Sequence, residues 1–200
     1  GPRYQGVASC VRLEKNRGYV GGMNQGLECA LEQAAAPWVM TLSNDTELDP
    51  HFFEKLEQAL RALDRAVAPG SLVGMLGPKI REMNARHMLD ATGISLSLDG
   101  MSTARGQRER DESQYDALTH ILIPNGVSAL YRLNMLRDVG LMDESFWAYC
   151  EDTDLGLRAW LAGWDCRFLP ECIVYHARSS THGEHSLRKL YLVERNHYWV

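Results

Sequence analysis

Ser43-Asn44-Asp45 follows directly on the apolar run Trp38-Val39-Met40-Thr41-Leu42. In an open α/β sheet, ligands settle in the crevice beyond the carboxyl ends of the strands. A carboxylate there can hold Mg2+ or Mn2+ and leave coordination positions to phosphate oxygens. Asn44-Asp45-Thr46 reads equally as a turn, with Asp49 capping the next helix. A second acidic group lies in Phe146-Trp147-Ala148-Tyr149-Cys150-Glu151-Asp152-Thr153-Asp154-Leu155. Carboxylates are favoured at the start of a helix by its dipole, which alone accounts for Glu151 and Asp154. It does not account for Phe146, Trp147 and Tyr149 immediately before them. Aromatic walls keep water from a carboxylate and raise its pKa, as a general base requires.

His176 ends an apolar run at residues 172–175, and His182 and His185 follow it. Three histidines could ligate zinc, yet their spacing fits no helical pair, and a lone histidine at a strand end also has a structural use. His182 and His185 read as exposed loop residues. Residues 16–26 are glycine-rich and enter a helix, so their amides could face a phosphate or diphosphate. They lack both the G-x-G-x-x-G spacing and the P-loop G-K-[ST], which removes the dinucleotide and nucleoside-triphosphatase readings.

The elements that must position these residues alternate short apolar runs with amphipathic helices, the pattern of an α/β domain. Strands are expected at residues 7–13, 38–42, 72–76, 119–123, 127–131 and 172–175, with that at 38–42 buried on both faces. Met23, Leu27, Ala30, Leu31 and Ala34 share one helical face that Pro37 ends. Asp49-Pro50 caps a second helix with the stripe Phe53, Leu56, Leu60 and Leu63. Ile94, Leu96 and Leu98 alternate with serines up to Asp99-Gly100, a two-residue hairpin signal. Residues 105–115 are polar, carry both charges and read as a mobile surface loop. Further helices are expected from Asn134 to about Gly140, over residues 152–162, and from about Ser186 onward.

The 200 residues fit one domain, long enough to fold without a disulfide or zinc staple. With 21 Lys+Arg against 26 Asp+Glu the net charge is −5, which argues against a nucleic-acid partner. No apolar run reaches the ~20 residues of a membrane span. The five cysteines contain no C-x-x-C pair, which points to structural thiols in a reducing compartment and excludes a cysteine-built zinc site.

In order along the chain, these pieces resemble the family 2 glycosyltransferases of the GT-A fold, in the branch similar to bacterial rhamnosyltransferases. The matching residues are Asn16-Arg17-Gly18-Tyr19-Val20-Gly21-Gly22-Met23-Asn24-Gln25-Gly26, then Leu42-Ser43-Asn44-Asp45-Thr46 with Asp49-Pro50. Next come Gly126 to Arg132 and Val139-Gly140-Leu141-Met142-Asp143-Glu144, leading into Phe146, Tyr149, Glu151-Asp152-Thr153-Asp154-Leu155 and Arg158. Gly163, Pro170, Val174-Tyr175-His176 and Arg195-Asn196 complete the set.

The resemblance implies a GT-A-type mixed sheet flanked by helices. It implies inverting transfer of a sugar from a nucleotide-diphosphate donor to a glycan or lipid-linked acceptor, in bacterial cell-surface polysaccharide or glycan synthesis. It maps a divalent metal, Mg2+ or Mn2+, to Asp45 and His176, and the catalytic base to Asp152 with Glu151 in support. Asn16, Gly18, Gly22, Asn24, Asn44 and Asp45 fall in donor-binding positions, and Gly126, Trp147 and Tyr149 beside the sugar and acceptor. The triplet opens with Ser43 where the family carries Asp, which leaves fewer carboxylates for the metal. The family's first strand–helix–strand has no counterpart before Val7, so about one βαβ unit is expected to precede these residues, and the last helix to continue past them. A cytoplasmic protein, associated peripherally with the inner face of the membrane, would fit a lipid-linked acceptor. Two other activities use the same residues: a non-catalytic module binding nucleotide-sugar or carbohydrate, and a metal-dependent phosphohydrolase.

Overall fold

The computed structural model describes residues 8–66, 72–178 and 186–200. In chain order they form α1 (Gly18–Gln33), β1 (Trp38–Leu42), β2 (Thr46–Leu48), α2 (Phe52–Ala66), β3 (Val73–Glu82), β4 (Leu89–Ala91), β5 (Ile94–Leu96) and β6 (Ser102–Ala104). There follow β7 (Ser128–Arg132), α3 (Leu133–Val139), a 3-10 turn (Glu144–Phe146), α4 (Glu151–Leu161), β8 (Asp165–His176) and α5 (Leu187–His197). The main sheet runs β1-β7-β3-β8-β2, with β4 also on β3, while β5 and β6 form a separate hairpin. Only β3 and β8 are parallel; the other pairs are antiparallel, so this is a mixed sheet with helices on both faces.

Alternation along β7 divides the two layers, because successive side chains point to opposite faces of a strand. Ala129 and Tyr131 join Val20 and Leu27 of α1, Met135 and Leu136 of α3, and Leu155 and Ala159 of α4. Leu130 turns to the other face, where Leu56, Leu60 and Leu63 of α2 cover it with Leu76. Phe52 rather than Phe53 completes that stripe: Phe52 is fully buried against Cys172 and Val174, and Phe53 is exposed. The cap at Asp49 is present, its carboxylate accepting from the His51 amide at 3.0 Å and its carbonyl from that of Phe52 at 2.9 Å.

The two strands at the centre are longer than the sequence reading allowed. Each contains a proline, a residue that cannot donate to a ladder and is tolerated in sheets mainly at edges and bulges. Pro78 pairs with Leu169, but the next pair is Lys79 with Ile173, so the ladder shifts where Pro170 lies. Both prolines therefore sit at one irregularity, and pairing resumes beyond it.

Other expectations change as well. Residues 8–13 form no strand, and α1 starts at Gly18, five residues before the apolar stripe. β1 is only half-buried, and among the described residues it pairs with β7 alone. Residues 119–123 make isolated bridges, Ile123 to Ile94 and His120 to Arg167, in place of a strand. The β5–β6 hairpin closes through Ser97 and Met101 with Gly100 at φ 82°, a three-residue loop ending in a left-handed glycine. All five thiols are unpaired, and those of Cys150, Cys166 and Cys172 are buried.

Residues 105–115 are pinned to the sheet, not mobile. The Lys79 ammonium, only 2% exposed, reaches Asp111 at 3.2 Å and Asp116 at 2.5 Å, and Arg81 closes on the same Asp111 carboxylate. Burial pushes the Asp111 carboxyl up, but bonds from Arg81, the Ser113 amide and Lys79 more than reverse this and hold it below its ordinary value. Of the segment's charges it is Asp111 that this buried network takes up, while Arg108, Glu109, Arg110 and Glu112 stay exposed.

A buried ion pair that loses one partner leaves an uncompensated charge, which costs more than the intact pair contributes. Asp111→Ala is therefore expected to lower unfolding free energy by about 3 kcal/mol or more in urea titrations. A loss under about 1 kcal/mol, the worth of a surface pair, would show that the network is not what holds this segment.

Candidate active site

Four parts of the chain border one cleft of about 900 Å3: the start of α1, the end of β1, the loop before α4 and the end of β8. Asp45 enters it from the turn between β1 and β2, where the Thr46 hydroxyl donates to the Ser43 carbonyl at 2.6 Å. Residues 44–46 thus form a turn, and Asn44 and Asp45 of that turn border the cleft. The Ala177 amide donates to the Asp45 carbonyl at 2.9 Å, and Thr46 lies opposite His176 in the β2–β8 ladder. This register sets the His176 Nε2 3.5 Å from the Asp45 carboxylate.

The other imidazole nitrogen, Nδ1, lies 2.6 Å from the carboxylate of Asp90, which is 5% exposed on β4. An ionised carboxylate only accepts, so Nδ1 carries the hydrogen shared with Asp90, and Nε2 is the nitrogen turned toward Asp45. A carboxylate that orients a histidine in this way is the usual outer support of a metal-ligating imidazole. Arg178 Nε, 3.2 Å from the far oxygen of Asp90, fixes that carboxylate in turn. Asp45 and the Nε2 of His176 fit a divalent cation that keeps positions for non-protein oxygens. Among the described residues no three His, Cys, Asp or Glu side chains converge as a ready metal cage. His182 and His185 lie outside the described residues.

On the opposite wall Asp152 stands in the first turn of α4. One oxygen accepts from the Gly126 amide at 2.7 Å and the other from the Thr153 amide at 2.8 Å. Burial raises its pKa, and these hydrogen bonds offset the rise only in part. Gly126 is required by closeness: a Cβ there would lie 2.9 Å from the Asp152 carboxylate. Burial raises the neighbouring Glu151 further, the charge of Asp152 adds to it, and one Glu151 oxygen has no hydrogen-bond partner.

Tyr19 links the two walls. Its hydroxyl donates to the Gly126 carbonyl at 2.7 Å. Burial raises its pKa first, then the charge of Glu151, with Asp152 and Asp45 adding to the effect, so all three carboxylates act on one phenol. Asn16, Gly18, Gly22, Asn44, Trp147 and Tyr149 also border the cleft. The Asn16 carboxamide accepts from the Gly18 amide at 2.8 Å and shapes the start of α1. Asn24 departs from the expected placement. It is buried away from the cleft, and both ends of its amide are taken by the Met142 backbone at 2.7 and 3.2 Å. Arg188 and Lys189 of α5 lie 5.7 Å over the rings of Trp147 and Tyr149, covering part of each aromatic face.

Sequence reasoning named neither Tyr19 nor Asp90 as site residues. Tyr19 carries a signal, since it lies inside the glycine-rich segment. Asp90 carries none, because only the β3–β4 pairing brings it to His176 across 86 residues.

The fold is that of the GT-A glycosyltransferases. The structure superposes on GalNAc-T7 solved with UDP, GalNAc and Mn2+ at TM-score 0.61 and 14% identity, over 96% of this chain and 37% of that one. On TarS of S. aureus it superposes at TM-score 0.55 and 21% identity, over 98% of this chain and 30% of that one. The family model described as glycosyl transferase family group 2 matches residues 38–191, and the chain belongs to that family. It is 26% identical to the N-acetylglucosaminyl-diphospho-decaprenol L-rhamnosyltransferase of Mycobacterium tuberculosis, over 81% of this chain. The chain spans 57% of the length of those curated relatives. Among the described residues no helix is long and apolar enough to cross a membrane.

Burial raises the Glu151 carboxyl above its unfolded value, so the native state binds that proton more tightly than the unfolded chain. The associated stability is present at low pH and is lost as pH rises beyond the ordinary carboxylate range. Glu151→Gln keeps the shape without the charge. Its melting temperature should exceed that of the unmodified protein by more at about pH 8.5 than at about pH 5.5. An equal difference at both pH values would mean that Glu151 is not held in this state.

Proposed function

We propose that the protein is an inverting glycosyltransferase that moves a sugar from a nucleotide-diphosphate donor to an acceptor hydroxyl, with residues 1–200 forming part of one catalytic domain. The observation that carries the reading is the meeting in one cleft of Asp45 and a histidine oriented by Asp90 on one wall, and the half-buried Asp152 on the other. The first wall suits a divalent cation and a diphosphate. The second suits the removal of a proton.

Asp45 and the Nε2 of His176 would hold Mg2+ or Mn2+. When bound, the cation supplies positive charge against the diphosphate oxygens as the leaving group departs. The amides at the start of α1, shaped by Asn16, Gly18 and Gly22, together with Asn44, face the donor. Asp152 accepts the acceptor's hydroxyl proton as that oxygen bonds to the anomeric carbon from the side opposite the diphosphate. The bond from that carbon to the diphosphate breaks, and its electron pair leaves with the diphosphate. The Gly126 amide keeps the carboxylate aimed, and its raised pKa suits it to take up the proton. Trp147 and Tyr149 border the sugar and acceptor.

The rhamnosyltransferase relatives support an L-rhamnose donor and a diphospho-polyprenol-linked acceptor sugar, with which a cytoplasmic protein at the inner face of the membrane would fit. The replacement of the triplet's first carboxylate by Ser43 favours the second reading, a module that binds nucleotide-sugar without turnover.

The full-length protein, given dTDP-L-rhamnose, N-acetylglucosaminyl-diphospho-polyprenol and Mn2+, should form the disaccharide lipid, with no phosphate released from simple phosphate esters. Asp152→Asn should lower kcat roughly 10²- to 10⁴-fold, the usual worth of a general base, with donor KM little changed. Donor binding by calorimetry without any transfer would favour the binding module, and full activity in Asp152→Asn would remove it as base. Asp90→Asn should weaken Mn2+ binding by about tenfold or more, measured by calorimetry. Unchanged affinity would exclude Asp90 as the support of His176.

A further inference from the structure

Residues 147–150 lead directly into Glu151 and Asp152, and three of them are in the left-handed region: Trp147 at φ 65°, Tyr149 at 71° and Cys150 at 65°. None is glycine, so each holds a conformation that L side chains enter only under constraint. Such a loop cannot place its carbonyls in a regular ladder, and the buried ones need other donors. Two side chains on α5 supply most of them. Asn196 is fully buried, and its Nδ2 lies 3.0, 2.8 and 2.7 Å from the carbonyl oxygens of Phe146, Ala148 and Tyr149. Arg195 Nη2 donates to the carbonyls of Ser145 and Phe146 at 2.9 Å.

The remaining carbonyls of this stretch are met by backbone. That of Trp147 accepts from the Val20 amide at 3.2 Å, and that of Cys150 from the Asp154 amide at 2.9 Å. The clamp also fixes its own orientation. Arg195 Nε donates to the Asn196 Oδ1 at 2.9 Å, which obliges the Asn196 NH2 to face the loop. The Arg195 guanidinium lies 4.5 Å over the Trp199 ring, and that ring meets Phe146 edge-on at 5.7 Å.

We propose that Arg195 and Asn196 are positioning residues: they hold the left-handed loop 147–150 in the conformation that seats Asp152 against Gly126 and turns Trp147 and Tyr149 into the cleft. The activity arm of this proposal rests on the transferase reading; the structural arm does not. Without the clamp several buried carbonyls lose their donors, and the left-handed residues relax toward ordinary φ. Asp152 and the two rings shift together, while Asp45, Asp90 and His176, on strands of the main sheet and their ends, stay in place.

Hydrogen–deuterium exchange on the full-length protein tests the structural arm without any ligand. In Asn196→Ala, and in Asn196→Asp, which keeps the shape but removes the donors, a peptide covering residues 147–154 should exchange at least tenfold faster, with peptides from β3 and β8 unchanged. Arg195→Lys, at a half-buried position, should accelerate the same peptide two- to fivefold, and it decides the matter should both Asn196 variants fail to fold. Unchanged exchange at 147–154, or acceleration spread equally through the sheet, overturns the proposal. With the rhamnose donor and the diphospho-polyprenol acceptor, the variants should lose at least tenfold in kcat/KM for acceptor and keep donor KM within twofold. A matching loss on the donor side overturns it too. If the unmodified protein transfers no sugar while exchange behaves as expected, the transferase reading fails and the clamp stands.

Discussion

The register of β8 is the constraint on which the site depends. This strand of twelve residues pairs with β3 along one edge and with β2 along the other, and the β2 ladder sets Thr46 opposite His176. The carboxylate of Asp45, the residue before Thr46, is thereby fixed beside the imidazole. Slipping a strand by one residue reverses every side chain, which would turn His176 away from both Asp45 and Asp90. The register is itself well determined, because Cys172 and Val174 are fully buried against Phe52 of α2 and cannot exchange faces with the exposed Glu171. Packing further along the same face of β8 therefore sets the cleft's geometry.

The second wall depends on a different kind of constraint. Glu151 and Asp152 are adjacent carboxylates removed from water, an arrangement that opposes the ionisation of both. What makes it tenable is the start of α4, with its dipole and free amides, together with the amide of Gly126 from before β7. Helix order alone would not aim the Asp152 carboxylate at that amide, since the preceding loop sets where α4 begins. The loop's left-handed residues and the carbonyls they turn outward place the burden on α5, at the far end of the chain. One wall is thus specified by sheet register and the other by a few side chains binding a strained backbone.

This division explains what could be read from sequence. The helices at 133–139, 151–161 and 187–197 were legible because each has a local signature: Gly140 at φ 83° behind α3, carboxylates opening α4, and Ser186 capping α5 through the Lys189 amide at 3.2 Å. β3 and β8 are cut short in the sequence reading because Pro78 and Pro170 are local breakers whose tolerance depends on meeting at one irregularity of the β3–β8 ladder. The loop 105–115 was misread since its charges look solvated unless Lys79 is known to be buried beneath them. The cleft residues Asp45, Asp152 and His176 stand at element ends, where the chain pattern exposes them. Asp90 lies in the middle of a three-residue strand, and Asn24 on the inner face of α1. Their partners are chosen by long-range pairing that no local pattern records.

Gly126 is where the two walls of the cleft are joined. Its carbonyl accepts from the Tyr19 phenol of α1 at 2.7 Å, and its amide donates to Asp152 of α4 at 2.7 Å. One peptide stretch before β7 thus ties two helices that share no sequence neighbourhood, and it does so through backbone groups that any residue could supply. What restricts the position to glycine is the closeness of the carboxylate, since a Cβ there would lie 2.9 Å from it. An aspartate in place of Ser43 would bring a further carboxylate near a phenol whose pKa is already raised by burial and by Glu151, Asp152 and Asp45. A neutral side chain at 43 therefore keeps one more charge from the point where the walls meet.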